Sequence, residues 1–272
     1  MGIRNDTADS RESTPSAAAP VAPDELPFVA PCRALKPSAP LQWLQRGWAA
    51  VCAAPGPSLT YGAIIAALSA LVSLIAWHFG SGWMLLVLLS AFVFVAPVLA
   101  LAFYVISSQL ERGERPSLAR SLGEERRHFG DLLVFSLILL VVCLVWVRAG
   151  SGVQVFYPES GMPTLAELLG FFAIGSAVGS IFAMITFAAS AFSLPMLIDR
   201  RADSVTAVVT SINAVLRNKR TMLGWAMLIV LCVAVGFATA LVGLIVVMPL
   251  IGHATWHAYR DAIDTSAWPA YE

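Results

Sequence analysis

The residues best suited to chemistry lie near the carboxyl end, in the run His253-Ala-Thr-Trp-His257-Ala-Tyr-Arg260. A spacing of i, i+4 places both imidazoles on one helical face, where they can supply two ligands to one metal ion. A closed site needs more donors. His128 with Glu124 or Glu125 could join, but nothing in their spacing ties them to the pair. The competing reading is an interfacial belt. Trp256 and Tyr259 suit the headgroup level, Arg260 can snorkel, and the histidines can hydrogen-bond neighbouring loops. Other templates are missing: there is no Gly-x-Ser-x-Gly elbow, P-loop or His-Glu-x-x-His run. Cys32, Cys52, Cys143 and Cys232 are isolated, so neither disulfide nor zinc is indicated, and no cofactor is expected.

The elements that must position these residues follow from composition. The chain of 272 residues is 58% hydrophobic and 12% charged, whereas a soluble domain is about 25% charged. Charges avoid Pro57 to Ser108, Leu132 to Val147 and Thr221 to Gly252, except at their borders. Such intervals hold membrane spans of about 20 residues. The expected architecture is all-α, a polytopic membrane helix bundle of about six transmembrane helices: 58–77, 83–108, 131–147, 168–194, 221–236 and 240–259. The last two come from splitting one apolar run, too long for a single span, near Gly236 to Thr239. Five spans is the alternative. Residues 1–40, interrupted by seven prolines from Pro15 to Pro40, read as a disordered tail, and 261–272 as a short second tail. No cleavable apolar leader is visible, so the first span is expected to serve as the targeting signal.

Basic residues give the orientation. With six spans, every Lys and Arg except Arg148 falls on one side, which the positive-inside rule makes cytoplasmic. The expectation is a multi-pass protein of the bacterial inner membrane with both termini in the cytoplasm. The formal net charge of +0 gives no field that would attract nucleic acid.

Before each odd-numbered span lies a segment of helical character. Val205, Val208, Val209, Ile212, Val215 and Leu216 make one apolar face, with Asp203 or Ser204 placed to cap it. Leu41, Leu44, Trp48 and Val51 repeat the pattern opposite Gln42, Gln45 and Arg46, and Leu118, Leu122 and Phe129 repeat it weakly. These read as cytoplasmic interfacial amphipathic helices, apolar side toward lipid and basic residues such as Arg217, Lys219 and Arg220 toward anionic headgroups. Each even span carries a proline, Pro97, Pro195 or Pro249, which suggests a threefold internal repeat of interfacial helix, span and return span. The plainer reading is that prolines are tolerated in membrane helices and that charges flank them anyway. Within the fourth span, Gly175 and Gly179 form a Gly-x-x-x-Gly pair expected to pack against another helix of the chain, a second subunit being the alternative.

The stretches Ala53-Ala-Pro-Gly-Pro-Ser58, Leu194-Pro-Met-Leu-Ile-Asp-Arg200 and His253 to Arg260 resemble an uncharacterised bacterial family of integral membrane proteins, a domain of unknown function sometimes labelled cytochrome c oxidase subunit I-like. The resemblance spans roughly residues 35 to 265 and implies no activity. Four histidines, two of them one turn apart on one helix, do not make a haem-copper centre. The functional expectation is a non-enzymatic accessory factor whose partner is the lipid bilayer, and beyond it a membrane protein or a second copy. The alternatives are a carrier or channel for a small or amphiphilic substrate and, behind it, a metal- or haem-binding protein.

Overall fold

The computed structural model describes residues 27–79, 82–116, 129–153, 155 and 164–270. Among these residues the secondary structure is helical apart from two single-residue bridges, Cys32 with Ile263 and Arg200 with Ala270. Helix α1 (Ala39–Ala53) gives way at once to α2 (Pro55–Phe79). The break has a local cause, because Pro55 drives the residue before it out of the helical region and Ala54 takes φ −132°, ψ 62°. Pro55 then suits the first turn of α2, where no helical N–H partner is needed.

Next come α3 (Gly82–Leu99) and α4 (Leu101–Glu111), separated by Ala100 and so dividing the expected span 83–108 just beyond Pro97. Helix α5 (Phe129–Val153) is followed by α6 (Leu165–Ser190), which opens on a capping box between Thr164 and Glu167. A short α7 (Ser193–Asp199) continues it after a break at Ala191 and Phe192. Pro195 cannot donate to the carbonyl of Ala191, four residues earlier, which accounts for that break. Helix α8 (Ser204–Arg217) is capped by Asp203, whose carboxylate accepts from the N–H groups of Val205 and Thr206. Helices α9 (Lys219–Ala238) and α10 (Leu244–Ala262) complete the chain.

Among the described residues five stretches are long and apolar enough to cross a membrane: Pro55–His78, Ser90–Glu111, Gly130–Val153, Leu165–Asp199 and Lys219–Ala238. Helix α10 is not one of them, since its second half carries His253, His257, Arg260 and Asp261. It nevertheless runs back along α9. Leu244 lies against Gly236 near one end, and at the other Arg33 joins Ala262 to Asn218 through hydrogen bonds. Helices α1, α2 and α4 cover its remaining faces. The turn between α9 and α10 is Thr239–Gly243, a few residues beyond the expected split, and the Thr239 hydroxyl accepts from the N–H of Gly243 at 2.8 Å.

Residues 27–38 depart from the expected disordered tail. Ala30 N–H donates to Thr210 Oγ1, Leu35 N–H to Asn218 Oδ1, Arg33 N–H to Ala262 O and Asp264 N–H to Pro31 O. Prolines exclude a helix here but do not exclude an extended strap whose backbone groups find partners elsewhere. The second tail is also docked, with Arg201 N–H donating to Pro269 O and Trp268 buried.

The order short helix, long apolar helix, returning proline-bearing helix is seen in α1 to α4 and again in α8 to α10, while the short helix expected before α5 lies outside the described residues. Helix α1 packs on α10, burying Trp43, Gly47 and Val51 and leaving Leu41 and Trp48 of the expected apolar face outside. A Cβ at Gly47 would lie 2.8 Å from the carbonyl oxygen of Leu250, so the missing side chain is what lets α1 approach so closely.

Candidate functional site

His253 is fully buried where α2, α4 and α10 meet. Its Nε2 is 3.0 Å from the Ser58 hydroxyl and its Nδ1 is 2.7 Å from that of Ser107. A neutral imidazole has one donor and one acceptor nitrogen, so one serine donates to it and the other accepts from it. The Phe103 ring stands edge-on to the imidazole with centroids 5.7 Å apart. Gly252 admits that ring to the helix backbone, since a Cβ there would come within 2.6 Å of Phe103 Cβ. Tyr104 and Thr255, also buried, share a further hydrogen bond in the same layer.

These partners redirect the expected metal pair. Both nitrogens of His253 are engaged by hydroxyls, and a metal would have to displace one. The charged neighbours of His257 are Arg46 and Asp261, on the α1 side of α10. Asp261 is itself taken up by Trp43 Nε1 at 2.8 Å and by Arg46. Among the described residues no group of three or more His, Cys, Asp or Glu side chains could hold a metal ion. His128, Glu124 and Glu125 lie outside those residues.

Trp256 and Tyr259, expected in a lipid-facing belt, are instead fully buried, because the last turns of α10 sit where α1, α4 and α7 pack around it. The Tyr259 hydroxyl donates to Asp199 Oδ2 at 2.7 Å. Arg260 does not snorkel alone. Its Nη1 reaches Asp199 Oδ2 at 3.1 Å and its Nε reaches Glu111 Oε2 at 3.5 Å. Trp48 is 51% exposed, and Arg217, Lys219 and Arg220 are exposed at the junction of α8 and α9.

Helix α8 turns its small and polar side inward, burying Ser204, Thr206, Ala207, Thr210, Ser211 and Ala214, and with them Val215, while Val208 packs against the core. The Ser211 hydroxyl donates to Ala188 O and accepts from Phe192 N–H. Val205 and Leu216 of the apolar stripe are left 51% and 56% exposed, and Val209 and Ile212 between them are half-buried. Gly175 and Gly179 lie on the half-buried side of α6, but the approach to its neighbour is loose: among the described residues nothing lies within 4 Å of a Cβ added at Gly179, and Gly175 meets a Val153 methyl of α5 at 3.8 Å. The glycines therefore do not seat a closely packed helix among the described residues.

Ser58, Ser107, Glu111 and Asp199 were not singled out in the sequence. A signal for two of them exists: Glu111 and Asp199 are the last residues of α4 and α7, each following the proline-bearing part of a return span, and Arg260 ends the third. Ser58 and Ser107 carry no such mark, being 195 and 146 residues from His253.

No curated protein and no solved structure matches the chain. A family model matches over a narrower region than the resemblance suggested; it takes in Leu194 to Asp199 but neither Ala53 to Ser58 nor His253 to Arg260. Residues 84–199, from within α3 to the end of α7, match the family described as "Predicted integral membrane protein (DUF2189)", and with its apolar helices the chain is an integral membrane protein similar to that family of unknown function.

Proposed function

We propose that the chain is a non-enzymatic protein of the bacterial inner membrane that acts as an accessory factor through contacts with anionic lipid at its basic, cytoplasmic end. The single observation that carries this reading is the orientation of α8. Its protein-facing side is made of Thr206, Ala207, Thr210, Ser211, Ala214 and Val215, while one edge of its apolar stripe, Val205, Val209, Ile212 and Leu216, is exposed or half-buried. An exposed stripe of valine, isoleucine and leucine is unfavourable in water but suits the acyl boundary, and the adjoining Arg217, Lys219 and Arg220 suit anionic headgroups. Support for placing both termini on one side comes from the strap at 30–36, which is hydrogen-bonded to Ala262 and Asp264. Support for a non-catalytic role comes from the burial of Ser58, Ser107 and His253, which leaves these groups closed to a substrate.

The test is native mass spectrometry of the protein released from nanodiscs that contain equal amounts of phosphatidylglycerol and phosphatidylcholine. The wild type is expected to retain phosphatidylglycerol selectively, and an Arg217→Gln, Lys219→Gln, Arg220→Gln variant to lose that preference. Equal retention of both lipids by the wild type would overturn the reading.

A further inference from the structure

The three return segments meet at the basic end in every pairing: α4 touches α7 and α10, and α7 touches α10. Their ends are tied by charge. Arg260 of α10 stands between Glu111 of α4 and Asp199 of α7, with its Nε 3.5 Å from one carboxylate and its Nη1 3.1 Å from the other. Asp199 also accepts from the Tyr259 hydroxyl and from Arg200 Nε at 3.0 Å, and Arg200 Nη1 donates to Trp268 O in the docked carboxyl-terminal segment. One to two helical turns deeper lies the buried polar layer of Ser58, Ser107, His253 and Thr255.

Each of the three segments is held by packing, and their ends are held by charge. Helix α10 is clasped through Gly47 and Gly252, whose missing side chains let backbone and ring pack directly on it. Helix α4 is fixed to α10 by the bond from Ser107 to His253. Helix α7 is short, begins at a break with no side-chain cap and ends at extended Arg200, and it is buried from Ser193 to Ile198. Its polar ties to α10 are those of Asp199 to Tyr259 and Arg260. The pair of Arg260 with Glu111 is more than a third exposed on both sides, a setting in which an ion pair is weak and readily exchanged for water.

We propose that Arg260 is a latch: its pairs with Glu111 and Asp199 hold the ends of α4, α7 and α10 closed over the layer of Ser58, Ser107 and His253, and their release lets these ends part and admits water to that layer from the basic end. This goes beyond the lipid-contact reading and does not depend on it.

Labelling with a membrane-impermeant maleimide tests it, using the full chain in phosphatidylglycerol nanodiscs with Cys32, Cys52, Cys143 and Cys232 replaced by alanine. A reporter Ser107→Cys is expected to react slowly while Arg260 is present, and roughly tenfold faster with Arg260→Gln, a factor that corresponds to about 1.4 kcal/mol of opening. A Glu111→Gln, Asp199→Asn background, which keeps Arg260 but removes its acceptors, should accelerate the reporter likewise. A second reporter, Ala214→Cys in the buried face of α8, should stay unreactive throughout. Two results would each overturn the latch: no acceleration over the Ser107→Cys parent in either background, or equal acceleration at 214, which would mark general loosening.

Discussion

Gly62 of α2 sits directly on the carbonyl oxygen of Ile245 in α10, the acceptor that Pro249 leaves without its helical N–H partner. A proline four residues on cannot donate to that carbonyl, which leaves it outside the helical ladder and open to the close approach of α2. Only a glycine lets the backbone of α2 come so near, and a Cβ there would run into the oxygen and its carbon.

Gly62→Ala is therefore expected to destabilise the bundle by about 1–3 kcal/mol, because backbone on both sides must move apart. Gly179→Ala is expected to be neutral or to stabilise by up to about 1 kcal/mol, since alanine is the better helix former and nothing near Gly179 would be displaced. Thermal unfolding of the two variants in the same detergent checks the contrast. Equal losses would show that α6 is packed in a way the contacts of Gly179 do not reveal.

His253→Ala removes the link among α2, α4 and α10, leaves two buried hydroxyls without their partner and opens a cavity. The expected loss is about 2–5 kcal/mol. Ser58→Ala and Ser107→Ala each remove one hydrogen bond and should cost less, about 1–3 kcal/mol, with non-additive effects when either is combined with His253→Ala. Because both imidazole nitrogens are engaged, added zinc is expected to leave the melting temperature unchanged. A zinc-dependent rise that a His253→Ala, His257→Ala variant abolishes would reinstate the metal reading.

The sequence disclosed the bundle more readily than the site, for a physical reason. Long uncharged runs such as Thr221 to Gly252 are legible because transfer to lipid depends on composition summed over a segment. Burial inside the bundle depends instead on which face another helix meets. The apolar residues Leu41, Leu44, Trp48 and Val51 suggested one face of α1, but Gly47 and its close contact with α10 selected the face with Trp43. In α8 the apolar stripe divides: Val215 is buried and Val208 packs on the core, while Val205 and Leu216 stay exposed, because the small residues Ala207, Ser211 and Ala214 decide which side meets the bundle. His253 was visible as a residue capable of chemistry. Its partners were not, because two serines on α2 and α4 become neighbours only when the helices pack.

Asp203 caps α8 through the N–H groups of Val205 and Thr206, at 3.0 and 2.9 Å. Partial burial pushes its carboxyl pKa upward, but the hydrogen bonds from Thr206 and Val205 outweigh it and leave the pKa below the ordinary carboxylate value. A folded-state pKa below the unfolded one stabilises the fold at pH values above the unfolded pKa, about 3.9 for aspartate. That contribution is lost as the pH falls through the folded value. Asp203→Ala should cost about 1 kcal/mol at neutral pH. The gap to the wild type should close only in strongly acidic buffer, below about pH 4. Asp203→Asn keeps an acceptor for the cap and should show no such acid dependence, which unfolding measured from neutral to acidic pH will reveal.

The turn joining α9 to α10 holds two non-glycine residues in the left-handed region, Ala240 at φ 52° and Leu241 at φ 70°. In that region Cβ crowds the following carbonyl, at a cost of about 1–2 kcal/mol per residue. Bonds from Thr239 hold the turn in place: its hydroxyl donates to Gly236 O at 2.9 Å and accepts from Gly243 N–H. Ala240 is exposed, so its methyl group contributes no packing that a smaller residue would forfeit. Ala240→Gly is accordingly expected to raise stability by up to about 1 kcal/mol, the relief of crowding being partly offset by the greater freedom of glycine in the unfolded chain. Thr239→Ala, which removes the ties but keeps the crowding, should lower stability by about 1 kcal/mol. If Ala240→Gly melts below the wild type in the same detergent, the left-handed geometry is not a source of strain, and the close turn between α9 and α10 must rest on contacts of the alanine methyl group itself.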